Sequence, residues 1–316
     1  MATVSASPLP TRPALEAAQA AALACRHWIG RGDDKAADAA ATEAMRTRLA
    51  RAPGRGTVII GEGEKDEAPM LHNGEQLGDG DGPDFDIAVD PLECTDLCAA
   101  GLPGALATIA MASSGSMWSP GPALYMDKLV VGPAAREAID LRATPEENLS
   151  NVAQALGRPV EEMTVVVLDK SRHESLIARL RSAGAAVSTP SAGDVAGALA
   201  ALLADGEADM LMGVGGTPEG VMTACAVAAL GGGMQGRPAP QDEAEGQAVA
   251  EAGIDTERVL GVEELVNGPA LFVATGVSGG PLLRRPWYDN GVLLTESIVI
   301  ASDRVQRIVE GAPQDE

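Results

Sequence analysis

The spacing of apolar positions changes twice along the chain. Residues 14–29 and 35–51 place alanines and other apolar residues at helical intervals, which predicts two helices joined by the turn Gly30-Arg31-Gly32-Asp33-Asp34. A short apolar run, 57–61, then predicts a strand that leads straight into Glu62, Glu64, Asp66 and Glu67. A loop rich in Gly and Asp over 74–84 precedes a second strand, Asp86 to Val89, which ends in Asp90 and Glu93. Further strands are expected over 104–112 and 127–132. Thr144-Pro145-Glu146-Glu147 has the pattern of a capping box and opens a helix that serves as hinge between two domains, 1–145 and 146–316. Beyond it, strand and helix patterns alternate. Strands are expected at 163–169, 185–190, 208–216 and 271–276, and helices at 174–184, 194–203 and 218–230; 241–252 is a solvated helix or loop. Continuous apolar strands between helices indicate a sheet covered on both faces. The class is therefore α/β, with an α+β first half.

Composition narrows the picture. Only 2% of the 316 residues are aromatic against 46% hydrophobic, so the core is built from small and aliphatic side chains. A formal charge of -22 argues against nucleic acid or an anionic membrane as partner. No strongly apolar run is long enough to span a bilayer, and the first residues lack the pattern of a secretory signal. Cys25, Cys94, Cys98 and Cys225 are too scattered for a disulfide framework and suit a reduced cytoplasm.

Charge also directs attention to the acidic residues at strand ends. Asp33 lies in a helix–helix turn, Glu62 follows one strand, Asp90 and Glu93 end another, and Glu219 follows a third. Carboxylates gathered this way repel one another and resist desolvation, and Mg²⁺ or Mn²⁺ would relieve both. The plainer reading is a set of acidic surface loops. Thr95 is either a helix N-cap or a hydroxyl that orients water beside a phosphate. Lys170 and Arg172, flanking Ser171 at the end of a buried strand, are either phosphate ligands or a structural ion pair. Tyr125 stands in a run that also reads as an ordinary edge strand. Gly213, Gly215 and Gly216 lack the Lys-Ser/Thr of a phosphate loop, and Pro218 with Glu219 also fits simple helix initiation.

GRGDDKAADAAATEAM, VIIGEGEKDEAPML, DIAVDPLECT, YMDKLVVGP, VVVLDKSRHESLI and GVGGTPEGVMTA, in this order, resemble the class II fructose-1,6-bisphosphatases from about residue 15 to about 305. The resemblance implies a layered αβαβα sugar-phosphatase fold and metal-dependent removal of the 1-phosphate of fructose 1,6-bisphosphate, in gluconeogenesis or the Calvin cycle. It implies a cytoplasmic homotetramer whose partner is the small sugar bisphosphate. Carried over position by position, metal ligands fall on Asp33, Glu62, Asp90, Glu93 and Glu219. Substrate contacts fall on Glu93, Cys94, Thr95, Tyr125, Lys170, Ser171, Arg172, Ala192, Gly193, Asp194 and Gly216. Thr95, Glu62 and Asp90 take catalytic roles, whereas Asp86 is structural.

Three positions depart from the family pattern. Cys94 replaces a Gly, Ala192 replaces the first Asp of Asp-Gly-Asp, and the segment after Gly236 is shorter. A Cys at position 94 is expected to take an ordinary negative φ. The Asp96-Leu97-Cys98 run leans toward members that also hydrolyse sedoheptulose 1,7-bisphosphate. Two alternatives share the same residues: a phosphatase for another sugar or inositol phosphate, and a non-catalytic sugar-phosphate-binding homologue.

Overall fold

A computed structural model describes residues 9–62 and 70–311. Helices α1 (Thr11–Cys25) and α2 (Asp34–Leu49) precede β1 (Arg55–Ile60), β2 (Gln76–Leu77), β3 (Asp84–Glu93), α3 (Thr95–Ala100), β4 (Leu106–Ser113) and β5 (Tyr125–Val131). Next come α4 (Pro145–Leu156), β6 (Thr164–Val166), α5 (Glu174–Ser182), β7 (Ala186–Ser188), α6 (Asp194–Leu202), β8 (Met210–Gly216), α7 (Thr217–Leu230) and β9 (Gly233–Pro238). The chain closes with α8 (Glu243–Glu251), β10 (Leu260–Gly261), α9 (Val262–Leu265), β11 (Ala270–Gly276), β12 (Trp287–Asp289), β13 (Val292–Ala301) and β14 (Arg304–Gly311).

The chain forms two compact units, one from Met1–Met117 with Gly268–Glu316, the other from Trp118–Asn267. The first unit holds an eight-stranded mixed sheet in the order β12-β13-β11-β4-β3-β1-β2, with β14 pairing β13. Strand β3 is parallel to β1 and antiparallel to β4. Helix α1 packs against β3, β4, β11 and β13 through Ala14, Ala17, Ala18, Ala21 and Ala22, all fully buried. Small side chains let the helix lie close to the sheet, which is how a core poor in aromatics stays dense. The two phenylalanines, Phe85 and Phe272, are both buried in this unit.

The second unit holds a six-stranded sheet in the order β10-β9-β5-β8-β6-β7. Strands β6, β7 and β8 run parallel, whereas β5 is antiparallel to both β8 and β9. Side chains alternate along β5. Leu129 and Val131 join the core with Leu149 and Val152 of α4 and Ile177 and Leu180 of α5. Lys128 points to the other face, toward α6 and α7.

Mixed α/β architecture is what the sequence pattern predicts, with two differences in detail. Strand β11 pairs β4 and β13 of the first unit and does not extend the sheet of the second, and β5 is an interior strand, not an edge. The expected boundary at 145/146 falls inside the second unit, at the capped start of α4. Among the described residues, no helix is long and apolar enough to cross a membrane.

Candidate functional site

In the first unit, β1 delivers Glu62 through Gly61. A Cβ at Gly61 would meet the Leu71 carbonyl at 1.9 Å, so only glycine allows this close approach. The Glu62 amide then donates to the same Leu71 carbonyl at 2.9 Å. Burial, reinforced by the nearby Asp38 carboxylate, pushes the Glu62 carboxyl up to about 7. Glu64, Asp66 and Glu67 lie outside the described residues.

Strand β3 carries Asp90 and Glu93 on either side of an irregularity. Asp90 opposes Thr108, whereas Glu93 opposes Leu106, so β3 gains one residue over β4. Such a bulge re-aims the side chains at a strand end. Asp90 Oδ1 accepts from the Leu92 amide at 3.1 Å, and Glu93 is buried. Asp86, deeper in the strand, accepts the backbone amides of Gly115, Ser116 and Met117 at 3.0, 2.9 and 3.0 Å. Those three bonds give it a loop-fixing role.

Cys94 corrects one expectation. Its φ is +63° and ψ +52°, in the left-handed region, not at negative φ. The bulge in β3 and the immediate start of α3 dictate that turn, and the side chain follows the backbone. Cys94 also occupies the N-cap position of α3, with Thr95 the first helical residue and no side chain capping the helix. The N-cap reading of Thr95 is therefore replaced. Asp33 is itself an N-cap, of α2, and its Oδ1 accepts from the Ala36 amide at 3.0 Å.

The second unit gathers the other candidates around the ends of β5, β6 and β8. Glu245 Oε1 accepts the amides of Leu124 and Tyr125 at 2.7 and 2.9 Å and so fixes the entry to β5. The Arg172 guanidinium donates to the Val214 carbonyl at 3.0 and 3.2 Å and lies 5.3 Å over the Tyr125 ring. No carboxylate pairs with Lys170 or Arg172 among the described residues, so the structural ion pair is not formed there. His173, which the sequence reading did not single out, locks this loop. Its Nε2 accepts from the Val214 amide and its Nδ1 faces the Leu168 carbonyl, each at 2.8 Å. These partners select the neutral ring with its proton on Nδ1, and burial lowers its pKa.

Gly193 precedes α6 with φ +94°, a conformation that calls for glycine, and Ala192 beside it is half-buried. Asp194 opens α6 and is engaged by Lys128, a second residue missed from the sequence. The Lys128 ammonium is 2.5 Å from Asp194 Oδ2 and donates to the Gly216 carbonyl at 2.7 Å, with only 2% of the residue exposed. The signal was a single lysine, next to Asp127, in the strand run Met126 to Val131. Glu219, in the first turn of α7, has Oε2 buried with no hydrogen-bond partner among the described residues. Burial, and then the charge of Asp194, raise its pKa.

Among the described residues, no three His, Cys, Asp or Glu side chains already form a metal-holding group. Within each unit the donor chemistry nevertheless suits a hard cation. Glu62 of the first is a carboxylate held where its ionised form is disfavoured, and Glu219 of the second presents a buried oxygen with no hydrogen-bond partner among the described residues.

The family model described as "Bacterial fructose-1,6-bisphosphatase, glpX-encoded" matches residues 12–312. Fructose-1,6-bisphosphatase 1 class 2 of Escherichia coli (strain K12) is 41% identical over 296 residues, covering 89% of this chain and 88% of that protein. The chain belongs to the class II fructose-1,6-bisphosphatase family. The fructose-1,6-bisphosphatases class 2 of Escherichia coli O6:H1 and Shigella flexneri match it with the same 41% identity and the same coverage. The class II bisphosphatases are metal-dependent phosphatases, in keeping with the carboxylate-rich ends of β1 and β3 and the start of α7.

Proposed function

We propose that this protein hydrolyses the 1-phosphate of fructose 1,6-bisphosphate to give fructose 6-phosphate and phosphate. Family membership across residues 12–312 is the observation that carries this reading. Asp33, Glu62, Asp90, Glu93 and Glu219 serve as the metal ligands, with Mg²⁺ or Mn²⁺ as the ion. A bound divalent ion supplies Lewis acidity and a water made nucleophilic at neutral pH. Thr95 orients water or the leaving oxygen, while Glu62 and Asp90 take part in proton handling at the reacting phosphate. Lys170 and Arg172 bind the distant phosphate, and Ser171 and Tyr125 help to place it. Glu93, Cys94, Gly193, Asp194 and Gly216 contact the substrate. Ala192 brings no carboxylate to the sugar.

Sedoheptulose 1,7-bisphosphate belongs to the same proposal as a second substrate, supported by the Asp96-Leu97-Cys98 run. With it come a homotetramer and a cytoplasmic place in gluconeogenesis or the Calvin cycle. Phosphate release from both bisphosphates and from inositol monophosphate tests the reading. Chelator should abolish the activity and Mg²⁺ or Mn²⁺ restore it. Glu219→Ala should lower turnover by about a hundredfold or more while the far-ultraviolet circular dichroism stays unchanged. Equal turnover of inositol monophosphate, or full activity in the Glu219→Ala protein, would count against it.

A further inference from the structure

Lys128 is costly where it stands. Removing an ammonium from water carries a penalty of several kcal/mol, and a buried ion pair seldom returns more than that; apolar replacements are often equally stable. The surroundings are nonetheless shaped to keep it. A Cβ at Gly215 would lie 2.0 Å from Asp194 Oδ2 and 3.1 Å from Lys128 Nζ. A Cβ at Gly220 would lie 2.9 Å from Met126 Sδ and 3.7 Å from Lys128 Nζ. Glycines therefore clear the space in which the lysine reaches both its partners. Those partners belong to different elements. Asp194 begins α6 and Gly216 is the residue before α7, so the one ammonium ties these two helix starts together.

We propose that Lys128 is a positioning residue for substrate binding, whose buried ammonium holds the Asp194 carboxylate and the Gly216 carbonyl in one fixed arrangement. This rests on the assignment of Asp194 and Gly216 as substrate contacts under the proposed function. Lys128 has no substrate contact of its own: its effect runs through the residues it fixes. One strand side chain thereby sets the spacing of two binding loops that are distant in sequence. Its hydrogen-bond capacity matches that task, since an ammonium has several donors and can serve a carboxylate and a carbonyl at once. A methionine fills the same volume and serves neither.

The test uses the full chain with Mg²⁺ supplied, comparing the parent with Lys128→Met, Asp194→Asn and the double variant. Steady-state kinetics on fructose 1,6-bisphosphate should show KM raised about tenfold or more in Lys128→Met, with kcat changed by less than about threefold. Its urea midpoint should fall, because the Asp194 carboxylate stays buried without its cation, and the double variant should recover part of that loss. The double variant should be no worse in KM than the worse single variant, because both act through one arrangement. Should Lys128→Met fail to fold, Gly215→Ala moves the same pair with its charges kept, and it should raise KM in the same sense. Calorimetric affinity for fructose 6-phosphate gives a readout without turnover and should weaken about tenfold or more in Lys128→Met. A parent that binds fructose 6-phosphate without hydrolysing the bisphosphate contradicts the proposed function and leaves the Lys128 comparison intact. Parental KM and affinity in a folded Lys128→Met protein, or simply additive effects in the double variant, would overturn the positioning role.

Discussion

Cys94 shows how the backbone can overrule a side chain. A Cβ at positive φ crowds the following carbonyl, a conflict of roughly 1–2 kcal/mol that glycine escapes. The conformation persists at φ +63° because the Cys94 carbonyl accepts from the amides of Leu97 and Cys98 at 2.9 and 3.2 Å and so begins α3. Glycine would lose more freedom on folding, which offsets part of the relief. Cys94→Gly should therefore stabilise the protein by about 0.5–1 kcal/mol in urea unfolding, with kcat on fructose 1,6-bisphosphate within about tenfold of the parent. A less stable glycine variant would mean that the thiol contributes packing that outweighs the strain. From the sequence, the family's preference for Gly here was visible. The positive φ was not inferred, because it arises from a bulge that needs β4 as reference.

At the scale of elements, what was legible depended on how local the cause was. The Thr144 capping box is complete: the Thr144 side chain accepts from the Glu147 amide and the Glu147 carboxylate accepts from the Thr144 amide at 2.8 Å. Every participant lies within four residues, so the pattern could be read directly. Thr144→Ala should cost about 1 kcal/mol of stability and leave KM unchanged, as measured by urea unfolding and steady-state kinetics. An unchanged urea midpoint would show that Pro145 and packing alone start α4. Strand pairing had no such local signature. The run Leu271 to Gly276 looks like its apolar predecessors, yet its partners are β4 and β13. Lys128 was visible as a lysine beside Asp127 in an otherwise apolar strand, whereas Asp194, 66 residues away, was recognisable as its partner only in the fold. Of the candidate site, the residue types and strand-end positions were legible; the division of the carboxylates between two units was not.

For the whole molecule, a net charge of -22 makes the state of individual carboxylates a question of stability as well as chemistry. Glu62 is raised to about 7 from an ordinary value of 4.5. A carboxyl whose folded pKa is raised favours folding fully below its unfolded pKa, and that contribution is lost as pH rises through the folded one. In metal-free protein the Glu62 contribution should therefore decline between about pH 4.5 and 7. His173, with its lowered pKa, acts in the opposite direction: its contribution is present above the ordinary histidine pKa and is lost as pH falls. The parent's pH profile mixes the two, so the informative quantity is the difference from Glu62→Gln. That variant should match the parent near pH 4.5, become progressively more stable than it up to about pH 7, and keep a constant advantage above that. Added Mg²⁺ should narrow that gap at pH 8, since ligand binding to the folded state alone contributes about 2.7 kcal/mol at a hundred times Kd. The parent should gain more from the ion than Glu62→Gln, which keeps the shape of the side chain and lacks its charge. A stability difference that does not change with pH would show that Glu62 ionises freely without metal. An equal gain from Mg²⁺ in both proteins would remove Glu62 from the ligand set.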